Sequence, residues 1–198
     1  FAPVVLRPGQ VRAGALAARF DAIVLPDTDP KRLRDGPREG ELPSDLDPSG
    51  LGAEGAGALR EFVAAGGQLL AFAGATRYAI DVFGLPVENA VAQKDKDDKE
   101  KVVCPGSLLR VVAATEHSPS DDVDLLAGLP ESICIFVDAP LALRARKDVA
   151  PGTIDRILVY PPDDPLLSGY LEGGEKLGGQ AALLVARHGA GRVHLFAF

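Results

Sequence analysis

Residues 50–80, GLGAEGAGALREFVAAGGQLLAFAGATRYAI, read as helix, tight turn, buried strand, sharp turn and helix. Leu59, Phe62 and Val63 stand at i, i+3 and i+4 and form one apolar stripe on a helix. Gly66-Gly67 supplies the positive φ that closes a helix in a Schellman-type or left-handed cap. Gln68 to Phe72 is a short apolar run, the pattern of a strand covered on both faces in a parallel sheet. Ala73-Gly74-Ala75-Thr76 follows, and then a helix is expected over Arg77 to Phe83 with Ala79, Ile80 and Phe83 facing inward. Ligands of open α/β sheets bind at the carboxyl ends of strands, which directs attention to the Gly74 turn.

Working outward, Val4 to Leu6 predicts a strand, Ala13 to Phe20 a short helix with Leu16 and Phe20 on one side, and Ala22 to Leu25 a further strand ended by Pro26-Asp27. Strand, helix and strand with short connections is the signature of a right-handed βαβ unit. Asp27 then falls at a strand's carboxyl end, near the Gly74 turn if the two strands are neighbours. Its plainer reading is a turn or helix cap; the other is a ligand contact. Residues 28–50 carry Pro, Gly, Asp and Arg without periodicity, the texture of a long loop serving as lid or partner-facing surface. Lys94 to Lys101, KDKDDKEK, alternates in charge without the glycine and ligand spacing of a calcium loop, and reads as a solvated loop.

Beyond Leu108 the texture turns to strands. Leu108–Val112, Ile133–Val137, Ile154–Tyr160, Ala181–Arg187 and Arg192–Phe198 are rich in Val, Ile, Leu and Phe. Residues 187–192, RHGAGR, form a hairpin turn between the last two. These elements define an α/β fold, about half of it β-rich, within a single domain spanning residues 1–198.

Composition narrows the function. A net charge of −7 argues against nucleic acid or an anionic membrane as partner, and no apolar run reaches the ~18 residues of a membrane span. Arg144, Arg146 and Lys147 make only a small basic cluster, the texture of a solvated face. The three histidines, His117, His188 and His194, form no H-x-x-E or H-E-x-x-H, and the two cysteines no C-x-x-C, so no metal site is assigned. His188 and His194 are expected to cap the hairpin and face solvent. Cys104 and Cys134 are each expected as buried free thiols, with a single bridge as the alternative. No phosphate-binding or dinucleotide loop joins a strand to a helix.

The strand–turn–helix at residues 68–83 has the form of a nucleophile elbow, with Ala75 read at the elbow and Thr76 beside it. Alanine cannot attack a substrate, and Thr76 reads best as the N-cap of the following helix. Cys104, in Cys104-Pro105-Gly106-Ser107, is a turn cysteine that can still meet a site in space. No catalytic residue is therefore assigned. The candidate crevice comprises Asp27, Gly74, Ala75, Thr76 and Cys104, with Thr76 or Cys104 as the nucleophile in a third, hydrolytic reading.

The succession RFDAIVLPD, the 50–80 stretch continuing to GLPVENAV, then CPGSLLRV, LLAGLP and DDPLLSGYLEGGEKLGGQAALLVARHGAGRVHLFAF covers nearly the whole chain. It resembles the class I glutamine amidotransferase-like domain that follows the catalytic domain in a group of bacterial zinc carboxypeptidases. The resemblance implies a flavodoxin-like α/β sandwich with a mainly parallel sheet, and a chain excised from a longer protein with a strand and helix ahead of Phe1 and further sequence after Phe198. In true amidotransferases the elbow holds cysteine, and a histidine and glutamate follow a late strand; here alanine stands at the elbow, so glutaminase activity is not implied. Zinc and its ligands would belong to a parent catalytic domain, with no cofactor in this chain. The implied role is a non-catalytic accessory domain for interdomain packing, oligomerisation or substrate presentation, partnered by that catalytic domain in a secreted or periplasmic setting. The alternative is a small-ligand module using the crevice near Asp27 and Gly74.

Overall fold

The computed structural model describes residues 2–38, 40–41, 48–92, 101–115 and 125–198. Most of residues 94–101 and all of His117 fall outside the described residues. The chain divides into two compact units: Phe1–Leu85 with Arg187–His194, and Pro86–Ala186 with Leu195–Phe198.

In the first unit, helix α1 (Pro8–Arg12) opens on a proline, whose fixed φ suits the first helical position. The helix expected over Ala13–Phe20 does not form, because Gly14 and Ala15 both take positive φ; only a 3-10 turn at Leu16–Ala18 remains. Val4 and Val5 are exposed and unpaired rather than in a strand, since an apolar run becomes a strand only against a neighbouring edge. Strand β1 (Ala22–Leu25) forms as expected. The 28–50 stretch holds an unexpected helix α2 (Pro30–Asp35), whose N-cap Asp29 accepts from the amides of Lys31 at 2.9 Å and Arg32 at 3.1 Å.

Helix α3 (Gly52–Ala64) buries Leu59, Phe62 and Val63. It closes in a Schellman motif, with Gly67 N donating to Phe62 O and Gly66 N to Val63 O. Strand β2 (Gln68–Phe72) runs parallel to β1, with Ile23 beside Leu69 and Leu25 beside Ala71. Its faces differ: Leu69 and Ala71 are fully buried, while Gln68, Leu70 and Phe72 are half-buried. Helix α4 runs Gly74–Phe83 and buries Ala75, Thr76 and Ala79.

The second unit is almost all strand: β3 (Val87–Asn89), β4 (Ser107–Ala113), β5 (Ser132–Val137), β6 (Leu143–Ala145), β7 (Ile154–Val159), β8 (Leu166–Ser168) and most of β9 (Ala181–His188). Strand β10 (Gly191–Phe196) follows a turn at Gly189, and both β9 and β10 run from one unit into the other. All five expected late strands are present; the three-residue β3, β6 and β8 are too short to carry a period. The core of the second unit gathers Leu109, Val111, Tyr160, Leu177 and Ala182. Arg144 of the small basic cluster donates from Nε at 2.9 Å and Nη2 at 2.7 Å to one oxygen, Oε1, of its register partner Glu88.

The sheet corrects the expected fold. Its ten strands hydrogen-bond in the order β1-β2-β10-β9-β7-β4-β5, with β3, β6 and β8 beside that path. β1–β2 is parallel, but β3–β6, β4–β5, β4–β7, β4–β8, β6–β9 and β7–β9 are antiparallel. A mixed, mostly antiparallel sheet thus replaces the mainly parallel flavodoxin-like sandwich. The physical reason lies in the connections. Parallel neighbours need a crossover of about a dozen residues or more, usually a helix, and no α-helix is found after Phe83 among the described residues.

Candidate functional site

The first unit builds an elbow where β2 meets α4. The residue that turns is Ala73, with φ 45° and ψ −110°, not Ala75 as the sequence suggested. That backbone region is strained for any residue bearing a Cβ, and it is the conformation of a sharp strand-to-helix turn. The misplacement has a simple origin: the helix begins at Gly74, so the bend falls directly after Phe72.

Gly74 N donates to Asp27 Oδ1 at 2.9 Å, which brings together two residues 47 apart in sequence. The parallel β1–β2 register makes this contact, because both strands end side by side. A Cβ on Gly74 would lie 2.6 Å from Thr28 O and 3.0 Å from Asp27 Oδ1, so the close approach requires glycine. Asp27 itself is exposed, and its carboxylate accepts from the amide of the first residue of α4.

Thr76 is not the N-cap. Ala73 holds that position, and Thr76 lies within the first turn, where its hydroxyl donates to Ala71 O at 2.8 Å. Both Ala75 and Thr76 are fully buried, so neither side chain faces a crevice. In an elbow the amide following the nucleophile commonly donates to the oxyanion. Here that amide belongs to Gly74 and is already bonded to a carboxylate.

Cys104 belongs to the second unit, inside its apolar core and only 2% exposed. Its thiol donates weakly to Val137 O at 3.5 Å. Burial pushes the thiol's pKa up, against hydrogen bonding with Ser107 that lowers it. Cys134 is free as well but exposed, because it lies on the outward side of β5; the expectation of two buried thiols holds only for Cys104. Tyr160, fully buried nearby in the same core, donates its hydroxyl to Leu141 O at 3.2 Å.

The histidines also differ from expectation. His188 packs edge-on against Phe83 with ring centroids 5.0 Å apart. His194 is buried rather than solvent-facing, although it shares the face of half-buried Arg192 and Phe196 and not that of Val193 and Leu195; its Nε2 lies 2.9 Å from Gln68 Oε1. Burial, with Arg192 assisting, lowers its pKa to about 4. Among the described residues no three His, Cys, Asp or Glu side chains come together as a metal site, and no helix is long and apolar enough to cross a membrane.

Comparison with known proteins bears on the fold alone. No known family matches the sequence, and no curated protein matches it. A cytoplasmic protein of Salmonella typhimurium LT2 aligns at TM-score 0.50 and 17% identity, over 92% of this chain and 61% of its own. A β-galactosidase from Bacillus circulans sp. alkalophilus aligns at TM-score 0.47 and 13% identity, over 91% of this chain and 20% of the enzyme. A putative ThuA-like protein from Bacteroides uniformis aligns at TM-score 0.39 and 12% identity, over 96% of this chain and 62% of that one. The chain therefore spans less than two thirds of each of these structures. None of these structures connects the chain with a zinc carboxypeptidase.

Proposed function

We propose that this chain is a non-catalytic accessory domain, in which an amidotransferase-like elbow persists as architecture and the surfaces serve interaction. One observation carries the reading: the elbow residue is Ala73, and the Gly74 amide beside it is occupied by Asp27. An elbow without a nucleophile, whose oxyanion donor is already bonded, lacks both parts of covalent hydrolysis. The candidate nucleophiles elsewhere, Thr76 and Cys104, are buried in apolar surroundings.

The parent we propose, on the sequence resemblance, is a zinc carboxypeptidase-like protein. Peptide mass mapping of the native polypeptide tests it. An H-x-x-E and a distant third histidine ahead of this domain support the parent, and a native chain without them removes it. A second reading, a small-ligand module, draws on the exposure of Asp27 beside the elbow. Calorimetric titration with amino acids, peptides and sugars decides it: saturable heat weakened by Asp27→Ala supports it, and no heat with any of them removes it.

A further inference from the structure

We propose that the outer edge of β5 docks an extended segment of a partner protein, one apolar at alternate positions and held between two basic residues. This names the partner class for an interaction domain and rests on that reading. β5 closes the strand order; it pairs with β4 along one side, and among the described residues no strand pairs with the other. Alternate residues of an edge strand turn their N–H and C=O groups outward, which is a template for another extended chain.

Sheet edges are commonly protected by lysine, proline or a bulge. β5 has none of these. Its sequence, SICIFV over Ser132–Val137, contains no charge, proline or glycine, and its register with β4 is continuous from Val137 to Ser132. Its outward side carries an apolar pair, Phe136, 60% exposed, facing Leu108, 39% exposed, directly across the ladder, beside Cys134, which faces Arg110, and Ser132. Such an edge is adhesive unless something pairs with it.

The ends of the strand specify the partner. Glu131 and Asp138 flank it, both are exposed, and neither has an ion pair among the described residues. A second copy of the chain, added as an antiparallel strand centred on β5, would set Glu131 against Asp138 of the other copy. That places like charges opposite one another, in a molecule whose net charge is already −7. A segment with lysine or arginine at each end of a six-residue strand, apolar at alternate positions, meets opposite charge at both ends instead. The chemistry on the page therefore favours a basic-flanked partner strand over self-association.

The test is fluorescence anisotropy at low salt with a fluorescein-labelled Lys-Thr-Val-Thr-Val-Thr-Val-Lys peptide, its Glu-ended counterpart, and a Lys-ended version carrying a central proline. The Lys-ended peptide should bind, the Glu-ended one about tenfold more weakly, and the proline peptide not at all. Glu131→Lys with Asp138→Lys should reverse the order of the first two. Phe136→Thr should weaken binding several-fold while leaving thermal unfolding unchanged, since the ring is exposed. Equal binding of the Lys- and Glu-ended peptides, or binding of none, overturns the proposal. A dimer in sedimentation under reducing conditions that disappears in Cys134→Lys also overturns it, assigning the edge to a second copy. Mass spectrometry of the recovered peptide separates this from the non-catalytic reading. Cleaved peptide overturns that reading and leaves the docking edge standing, whereas intact peptide without binding overturns the edge alone.

Discussion

The two units turn the chain at strand ends in different ways. In the second unit, Gly106, Gly152 and Gly179 lead into β4, β7 and β9 and Gly169 ends β8, all at positive φ, which glycine adopts without steric cost. In the first unit, β2 ends at Ala73, where a residue with a Cβ is held at φ 45° and ψ −110°. A residue in such a region costs on the order of 1–3 kcal/mol and persists only where its surroundings over-determine it. Those surroundings are visible: the Gly74 amide on Asp27, the Thr76 hydroxyl on Ala71 O, and Ala75 buried behind them. The contrast teaches that the elbow is a built feature, held in a costly conformation by contacts on both sides of it.

The largest effect that would sharpen the contrast lies in the cores. Phe62→Ala in the first unit and Leu109→Ala in the second each remove a side chain that is 1% or less exposed. Both should cost about 3–5 kcal/mol in urea unfolding. A loss under about 1 kcal/mol at Phe62 would mean that the helix-wrapped unit is loosely packed, contrary to its burial.

Next comes acid. Folded His194 has its pKa lowered to about 4, below the 6.5 of the unfolded chain, so folding favours the neutral ring. Its contribution is therefore complete above about pH 6.5 and is lost as pH falls from there through about 4. The difference amounts to about 3 kcal/mol, and His194→Gln should remove that part of the pH dependence of unfolding. No counterpart of this buried histidine exists among the described residues of the second unit.

A matched pair of substitutions then tests the turns directly. Ala73→Gly should stabilise the chain by about 1 kcal/mol, because released strain exceeds glycine's added entropy in the unfolded state. Gly152→Ala should destabilise by a similar ~1 kcal/mol, since its φ is +76° and a Cβ there meets nothing within 4 Å, leaving only the conformational cost. Equal signs for the two would break the distinction between them. An effect of the same size is expected of Tyr160→Phe, which removes the hydroxyl donated to Leu141 O and should cost about 1 kcal/mol.

The sequence made the helix and strand of residues 52–72 readable because stripe, glycine cap and apolar run all agree there. The late strands were readable for the same reason, being five or more residues of branched and aromatic side chains. Their direction was not. Antiparallel and parallel strands carry similar apolar runs, and the choice between them follows from connections whose helices are absent after Phe83 among the described residues. Helix α2 carries a local signal of its own, Asp29 followed by Pro30, which is an N-cap with proline in the first helical position. The elbow was recognisable as strand, turn and helix, but its exact residue depended on where α4 begins. Gly74 starts that helix although glycine is a poor helix former, because Asp27, distant in sequence, holds its amide.

The most direct measurement is hydrolysis by the purified chain, assayed on p-nitrophenyl esters, glutamine and short peptides beside a Thr76→Val/Cys104→Ala double variant. The expected result is no turnover above buffer for either protein, because Ala73 offers no nucleophile and Gly74 N is held by Asp27. Saturable turnover by the wild-type chain that the double variant abolishes would contradict a chemically empty elbow.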